Sequence, residues 1–177
     1  MRLGLLLFVM AATLAFAGGT AQADTVRVSQ GDAQRLFQTF DPSLAIEGLA
    51  VIRPVTPDGR HYCALDWHVI ALALIDGGDA SYTRQDFEAL RSTVSMNFIL
   101  DGAPLATTQT ASKRLPAELA SSFGFTSAYY VQQGVVLAPE ALAVGAHTIS
   151  VELTDANGTV VLSSVFFIDA PGTGTCL

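Results

Sequence analysis

Lysine is nearly missing from this chain. Lys113 is the only one, and Lys plus Arg total 9 against 16 acidic residues. A surface so short of positive charge does not suit a nucleic-acid binder or a protein held on anionic lipid, which both need a basic footprint. We read the acidic balance as serving solubility. Cysteine is scarce as well: Cys63 and Cys176 are the only two. Neither belongs to a closely spaced pair of the kind that structural zinc sites use. No Gly-x-Ser-x-Gly elbow occurs, so nothing in the pattern activates a serine such as Ser121 or Ser122. Internal repeats, low-complexity tracts and cofactor-binding motifs are absent too, and no cofactor is expected. Beyond the N-terminus no apolar run is long enough to cross a bilayer, which takes about 20 residues. Val69–Ile75, bounded by His68 and Asp76, reads as a buried strand instead.

What is present begins with an export signal. Arg2 supplies a minimal positive start and Leu3 to Ala17 carries no charge. Gly18-Gly19 breaks the run, and Ala21-Gln22-Ala23 fits a small-x-small cleavage rule. The expected cut lies before Asp24, leaving residues 24–177 as a single domain of common size. An uncleaved anchor helix is the alternative. With cleavage, the domain goes to the periplasm or outside the cell, with no membrane insertion afterwards. An even cysteine count in an exported chain suggests a Cys63–Cys176 disulfide that pins the Gly172-Thr173-Gly174-Thr175 tail. A pair of free thiols is the alternative.

The clearest structural signal is C-terminal. His147 to Thr154 alternates, with Ile149, Val151 and Leu153 on one face and Thr148, Ser150, Glu152 and Thr154 on the other. Asp155-Ala156-Asn157-Gly158 makes a turn in which Gly158 takes a positive φ. Thr159 to Ile168 follows as a strand apolar on both faces, and so is expected to be buried well beyond its edge. The run Leu142-x-x-Gly145-x-His147-Thr148-Ile149-x-Val151, then Thr154-Asp155-x-Asn157-Gly158, then Phe166-x-Ile168-Asp169, resembles the last two strands of bacterial immunoglobulin-like modules. That resemblance implies a sandwich fold. It also implies an adhesive, spacer or accessory role, with no catalytic set to carry over.

Upstream, Thr25–Ser29 alternates weakly as a first edge strand. Ser29 and Asp32 form a helix-start pattern for Gly31 to Phe40, which Asp41-Pro42 ends. Leu49–Arg53 is a strand and Pro57-Asp58-Gly59 a turn. His61 to Ile75 reads as one long strand, with Cys63 and Trp67 on one parity, so Trp67 is expected to pack near the bridge as in sandwich cores. Thr83 with Asp86 starts a second helix reaching Ser92. Val94–Asp101 and Leu105–Thr110 form a hairpin, Pro116 to Gly124 a short helix, and Ser127–Leu137 a strand. These elements predict a mostly β fold: an antiparallel immunoglobulin-like sandwich with two or three short helical insertions.

Chemistry is harder to find. His61 and His68 have opposite strand parity and point to opposite faces, and the histidines read as strand-edge polar residues. Asp76 and Asp79, or Asp155 and Asn157, could touch calcium, but such residues dominate ordinary turns. Tyr129 and Tyr130 are adjacent and face opposite ways, one toward the core and one outward. With Tyr82 or Trp67 an exposed tyrosine could stack on a sugar, although core packing is the commoner fate. Asp66 and Glu88 are the carboxylates on which a carbohydrate-active hydrolase would depend. The leading expectation is a non-catalytic exported module that binds or supports an envelope protein or a glycan. A small-ligand or glycan-binding module is the first alternative, and an envelope hydrolase the second.

Overall fold

A computed structural model describes residues 28–39, 48–55 and 58–176. The signal segment, Thr25–Arg27, Phe40 and the Asp41-Pro42 stop lie outside the described residues. Val28 and Ser29 are in no strand. Ser29 instead caps α1 (Gln30–Gln38), accepting the Asp32 N–H while Asp32 returns a bond to the Ser29 backbone.

The remaining elements are β1 (Leu49–Ile52), β2 (Arg60–Cys63), β3 (Trp67–Gly78), α2 (Arg84–Arg91), β4 (Ser95–Leu100), β5 (Ala103–Pro104), β6 (Thr108–Gln109), β7 (Lys113–Arg114), α3 (Ala117–Ser122), β8 (Ser127–Leu137), β9 (Gly145–Asp155) and β10 (Gly158–Asp169). They build two sheets. One has the order β1-β3-β8-β6, with β7 also on β8. The other has the order β2-β10-β9-β4-β5. Ile70, Leu74 and Val131 of the first sheet meet Phe98, Ile149, Val151, Phe166 and Ile168 of the second in one buried core, with Phe87 of α2 among them.

The mostly β character holds, but the sheets are not purely antiparallel. β1 runs parallel to β3 and β2 parallel to β10. The reason lies in the stretch expected to be one strand from His61 to Ile75. It breaks at Ala64-Leu65-Asp66, where the Asp66 N–H turns back to the Cys63 carbonyl at 3.1 Å. The chain makes β1 in one sheet, detours through β2 in the other, and returns to lay β3 beside β1 in the same direction. Trp67 therefore packs under α1 with Ala33, Leu36, Phe37, Val69 and Ala71, on the outer side of its sheet and not in the space between sheets. Leu105–Thr110 also differs from expectation. Only Thr108–Gln109 is strand, and the hairpin partner of β4 is Ala103–Pro104, across an Asp101-Gly102 turn with φ of 51° and 79°.

Cys63 and Cys176 form a disulfide. It fastens the C-terminal tail beside β2, and Asp169 reinforces it by accepting the Thr175 N–H at 2.8 Å and hydroxyl at 3.0 Å.

Candidate functional site

The two sheets present different outer faces. On the first, α1 covers Val69 and Ala71, and α3 with its flanks covers Tyr130 and Ala128. Both faces of β3 are therefore mostly buried, which explains its unbroken apolar run. The outer face of the second sheet is exposed at Asn97, Thr148, Thr159, Val161 and Ser163. Its side chains bond to one another across strands, Ser150 to Ser163 at 3.0 Å and Thr154 to Thr159 at 2.8 Å. At one end His61 stacks on Phe167 with ring centroids 4.8 Å apart. The strand alternation produces this surface directly, because every second residue of β9 and β10 must point away from the core.

β10 itself changes character along its length. From Phe166 to Ile168 it lies between β9 and β2. Nearer the turn it has β9 on one side, and among the described residues no strand on the other. The boundary is Val165. Its N–H donates to Asp58 Oδ1 at 2.7 Å, and its carbonyl accepts the Gly59 N–H at 2.8 Å. By the two-residue period of a strand, Ser163, Val161 and Thr159 aim their N–H and C=O groups the same way, along the open edge. The expectation that Thr159–Ile168 is buried well beyond its edge holds for Ser164, Phe166 and Ile168 but not for the turn end: residues 158–161 are exposed, with Val160 at 55% and Val161 at 58%. The hairpin tip outruns the core, and pattern alone cannot show where a core ends.

The tyrosines separate. Tyr82 and Tyr129 come together with ring centroids 6.3 Å apart, and Tyr129 lies at the same distance from Phe87. All three rings border the inter-sheet core. The Tyr82 hydroxyl donates to Asp76 Oδ2 at 2.5 Å, and burial together with that carboxylate raises the phenol above its ordinary range. Tyr130 points the other way, but at 5% exposure it is packed with Leu115, Ala120 and Ala128 and not open to solvent.

Asp66 and Glu88 do not face each other. Asp66 precedes β3, whereas Glu88 sits on α2, whose Phe87 reaches Tyr129, the register partner of Asp76 near the far end of β3. Glu88 instead accepts the hydroxyl of buried Ser112 and the Arg91 guanidinium at 2.7 Å, and these contacts, the serine first, hold its carboxyl below the usual range. Arg84 donates to the same hydroxyl at 2.9 Å.

The three histidines gather at the end of the molecule that carries the disulfide, in different settings. His61 reaches Asp169 at 2.8 Å. His147 is buried between Asp101 Oδ2 at 2.6 Å and the Ala143 carbonyl at 2.7 Å. His68 is fully buried, and neither ring nitrogen makes a hydrogen bond. Burial pushes its pKa down to about 4. The nearby Cys63 carbonyl opposes that shift only partly, and His147 adds to it. Among the described residues no group of three or more His, Cys, Asp or Glu is placed to hold a metal ion. In the acidic turns the carboxylates bond inward, Asp79 to the Ser81 N–H at 2.8 Å and Asp155 to the Asn157 N–H at 2.7 Å.

No protein-family model matches the chain, and no curated protein matches it significantly. The open edge of β10 is the feature that sequence reading missed. One signal was available: no charged residue and no proline occurs from Gly158 to Ile168, although edge strands are commonly guarded by such residues.

Proposed function

We propose that this protein is an exported, non-catalytic β-sandwich module, of an immunoglobulin-like kind, that binds or supports a partner in the cell envelope or outside the cell. The observation that carries the reading is the asymmetry of the sheets. Helices seal one outer face, while the other exposes Asn97, Thr148, Val161 and Ser163 beside half-buried Ser150, with Glu152 among them and Asp169 at the end where His61 stacks on Phe167. Exposed surfaces that combine apolar and hydroxyl groups suit contact with another macromolecule. The disulfide agrees with an oxidising compartment, where such bridges persist.

Site-specific photo-crosslinking in the native envelope tests this. A crosslinker at Asn97, on the bare face, is expected to give a discrete product. One at Arg35, on the helix-covered side, is expected to give none. No product at Asn97, or the same product at both sites, refutes the reading.

A glycan-binding module is the second reading. It is favoured by the Tyr82–Tyr129 pair beside Asp76, where an aromatic face and a polar handle meet. A glycan array on wild type and Tyr82→Ala tests it, and equal signals on both would remove it.

A further inference from the structure

We propose that the open half of β10 receives an extended segment of another polypeptide as an added strand, and that this segment has an uncharged, β-branched centre and basic flanks. The inference rests on the partner-binding reading and specifies how the partner is held.

The first argument is geometric. Thr159, Val161 and Ser163 direct backbone donors and acceptors outward over the stretch that β2 leaves uncovered, beginning where Asp58 and Gly59 close off Val165. Such a row is a template for strand addition. The second is chemical. The side chains along it are Thr159, Val160, Val161, Leu162 and Ser163, none of them charged. Leu162 is half-buried against the core, so an incoming strand would also cover the rim of the core there.

Charge decides between occupants. Asp58 stands at one end of the open stretch, Asp155 at the other, and Glu152 lies opposite Val161 on β9. The Asn157 N–H holds Asp155 below the usual carboxylate range, so it stays ionised. Arg60 is the basic residue nearby, and it lies further along, beside Phe166. A second copy paired antiparallel about Val161 would bring Asp58 of each chain toward Asp155 of the other, setting like charges together at both ends. A segment with lysine or arginine at its ends meets acids there instead.

Synthetic peptides provide the probe: KKTVTVTKK, its acidic counterpart EETVTVTEE, and KKTVPVTKK, which lacks a central N–H. Val161→Pro is the matching variant of the protein. The Val161 N–H faces the open edge, so proline removes it without cutting a bond to β9. Unchanged thermal unfolding of that variant verifies the fold, and Val161→Lys is a second blocking variant if it does not fold. We expect KKTVTVTKK to slow hydrogen exchange of the Val161 and Ser163 amides at least tenfold, with at least tenfold weaker binding for the other two peptides and for the variant. Equal binding by the acidic peptide, or full binding to the blocked edge, overturns the proposal. So does concentration-dependent protection of the same amides without peptide, which would give the edge to a second copy. If Val161→Pro leaves the Asn97 crosslink intact while the peptides fail to bind, strand addition falls and the partner-binding reading survives. Loss of the crosslink in wild type removes both.

Discussion

The imidazole of His147 and the carboxylate of Asp101, 46 residues apart in the chain, meet at 2.6 Å. The same carboxylate accepts the Thr148 N–H at 2.8 Å, so one exposed acid ties the end of β4 to the start of β9. Burial works against its ionisation, but the Thr148 N–H and then His147 outweigh it and hold its carboxyl below the usual range. Asp101→Ala is expected to lower stability by about 1–2 kcal/mol: the bonds of a side chain still 46% exposed are screened by water, but alanine also loses the His147 contact and is strained at φ 51°. Asp101→Asn should lose less, since asparagine keeps an acceptor and tolerates the positive φ. Urea denaturation of both variants checks the order.

Acid should weaken the fold through His68. Its folded pKa is about 4 against an ordinary 6.5. Between those values the unfolded chain binds a proton that the folded chain refuses. Stability is therefore unaffected above pH 6.5 and falls as pH drops toward 4, by at most about 3 kcal/mol. Asp101 adds to the loss at the bottom of this range. Its contribution is present above the unfolded carboxylate value and disappears as pH falls through the lower folded one. Unfolding midpoints from pH 7 to 4 should slope downward in wild type and be nearly flat to pH 4.5 in His68→Phe. An unchanged slope in the variant would remove His68 as the cause.

Reducing the Cys63–Cys176 bridge should cost much of the stability. The bond spans 113 residues, and closing so long a loop is worth about 4–5 kcal/mol in the chain-entropy model, an upper-end figure. For a domain of this size Tm should drop by about 10–15 °C in reductant, and by the same amount in Cys176→Ala. A smaller drop would mean that Asp169 and Thr175 hold the tail without the bridge.

Gly134→Ala should be among the most damaging single changes. Gly134 pairs with Ala71 on β3 and with Thr108 on β6. A Cβ placed there meets the Ile70 carbonyl oxygen and comes within 2.8 Å of the Ala71 Cα, both backbone atoms that cannot step aside. A loss of about 2–3 kcal/mol is expected, read from thermal unfolding. Gly102→Ala, with open space around its Cβ, is a useful contrast, because its cost comes from the positive φ alone.

Local chemistry made several elements readable in advance. Ser29 with Asp32 and Thr83 with Asp86 mark helix starts, because each side chain satisfies a backbone donor within three residues. Ser127–Leu137 has the limits expected of it, and β9 and β10 are each close to theirs. An even cysteine count in a chain read as exported suggested the Cys63–Cys176 bond, against a pair of free thiols, and the bond is present. The break at Ala64-Leu65-Asp66 was invisible, because alternation continues through it and only the pull of two separate sheets divides the run. The Tyr130 side chain was expected in solvent if Tyr129 was in the core, but α3 covers it, and strand parity says nothing about a helix laid over the far face.

The sequence by itself determined that this is a strand-rich, acidic chain with an uncharged apolar run near its start, two capped helices and one pair of cysteines, since each of these depends on residues near one another or on bare composition. The tertiary structure alone decided that two strand pairs run parallel, that helices seal one sheet face while Asn97, Thr148 and Val161 on the other stay exposed, and that β10 outruns its neighbour β2 at Val165. Those features depend on which strand comes to lie beside which. Contacts between residues more than a hundred positions apart, such as Asp58 with Val165, settle that.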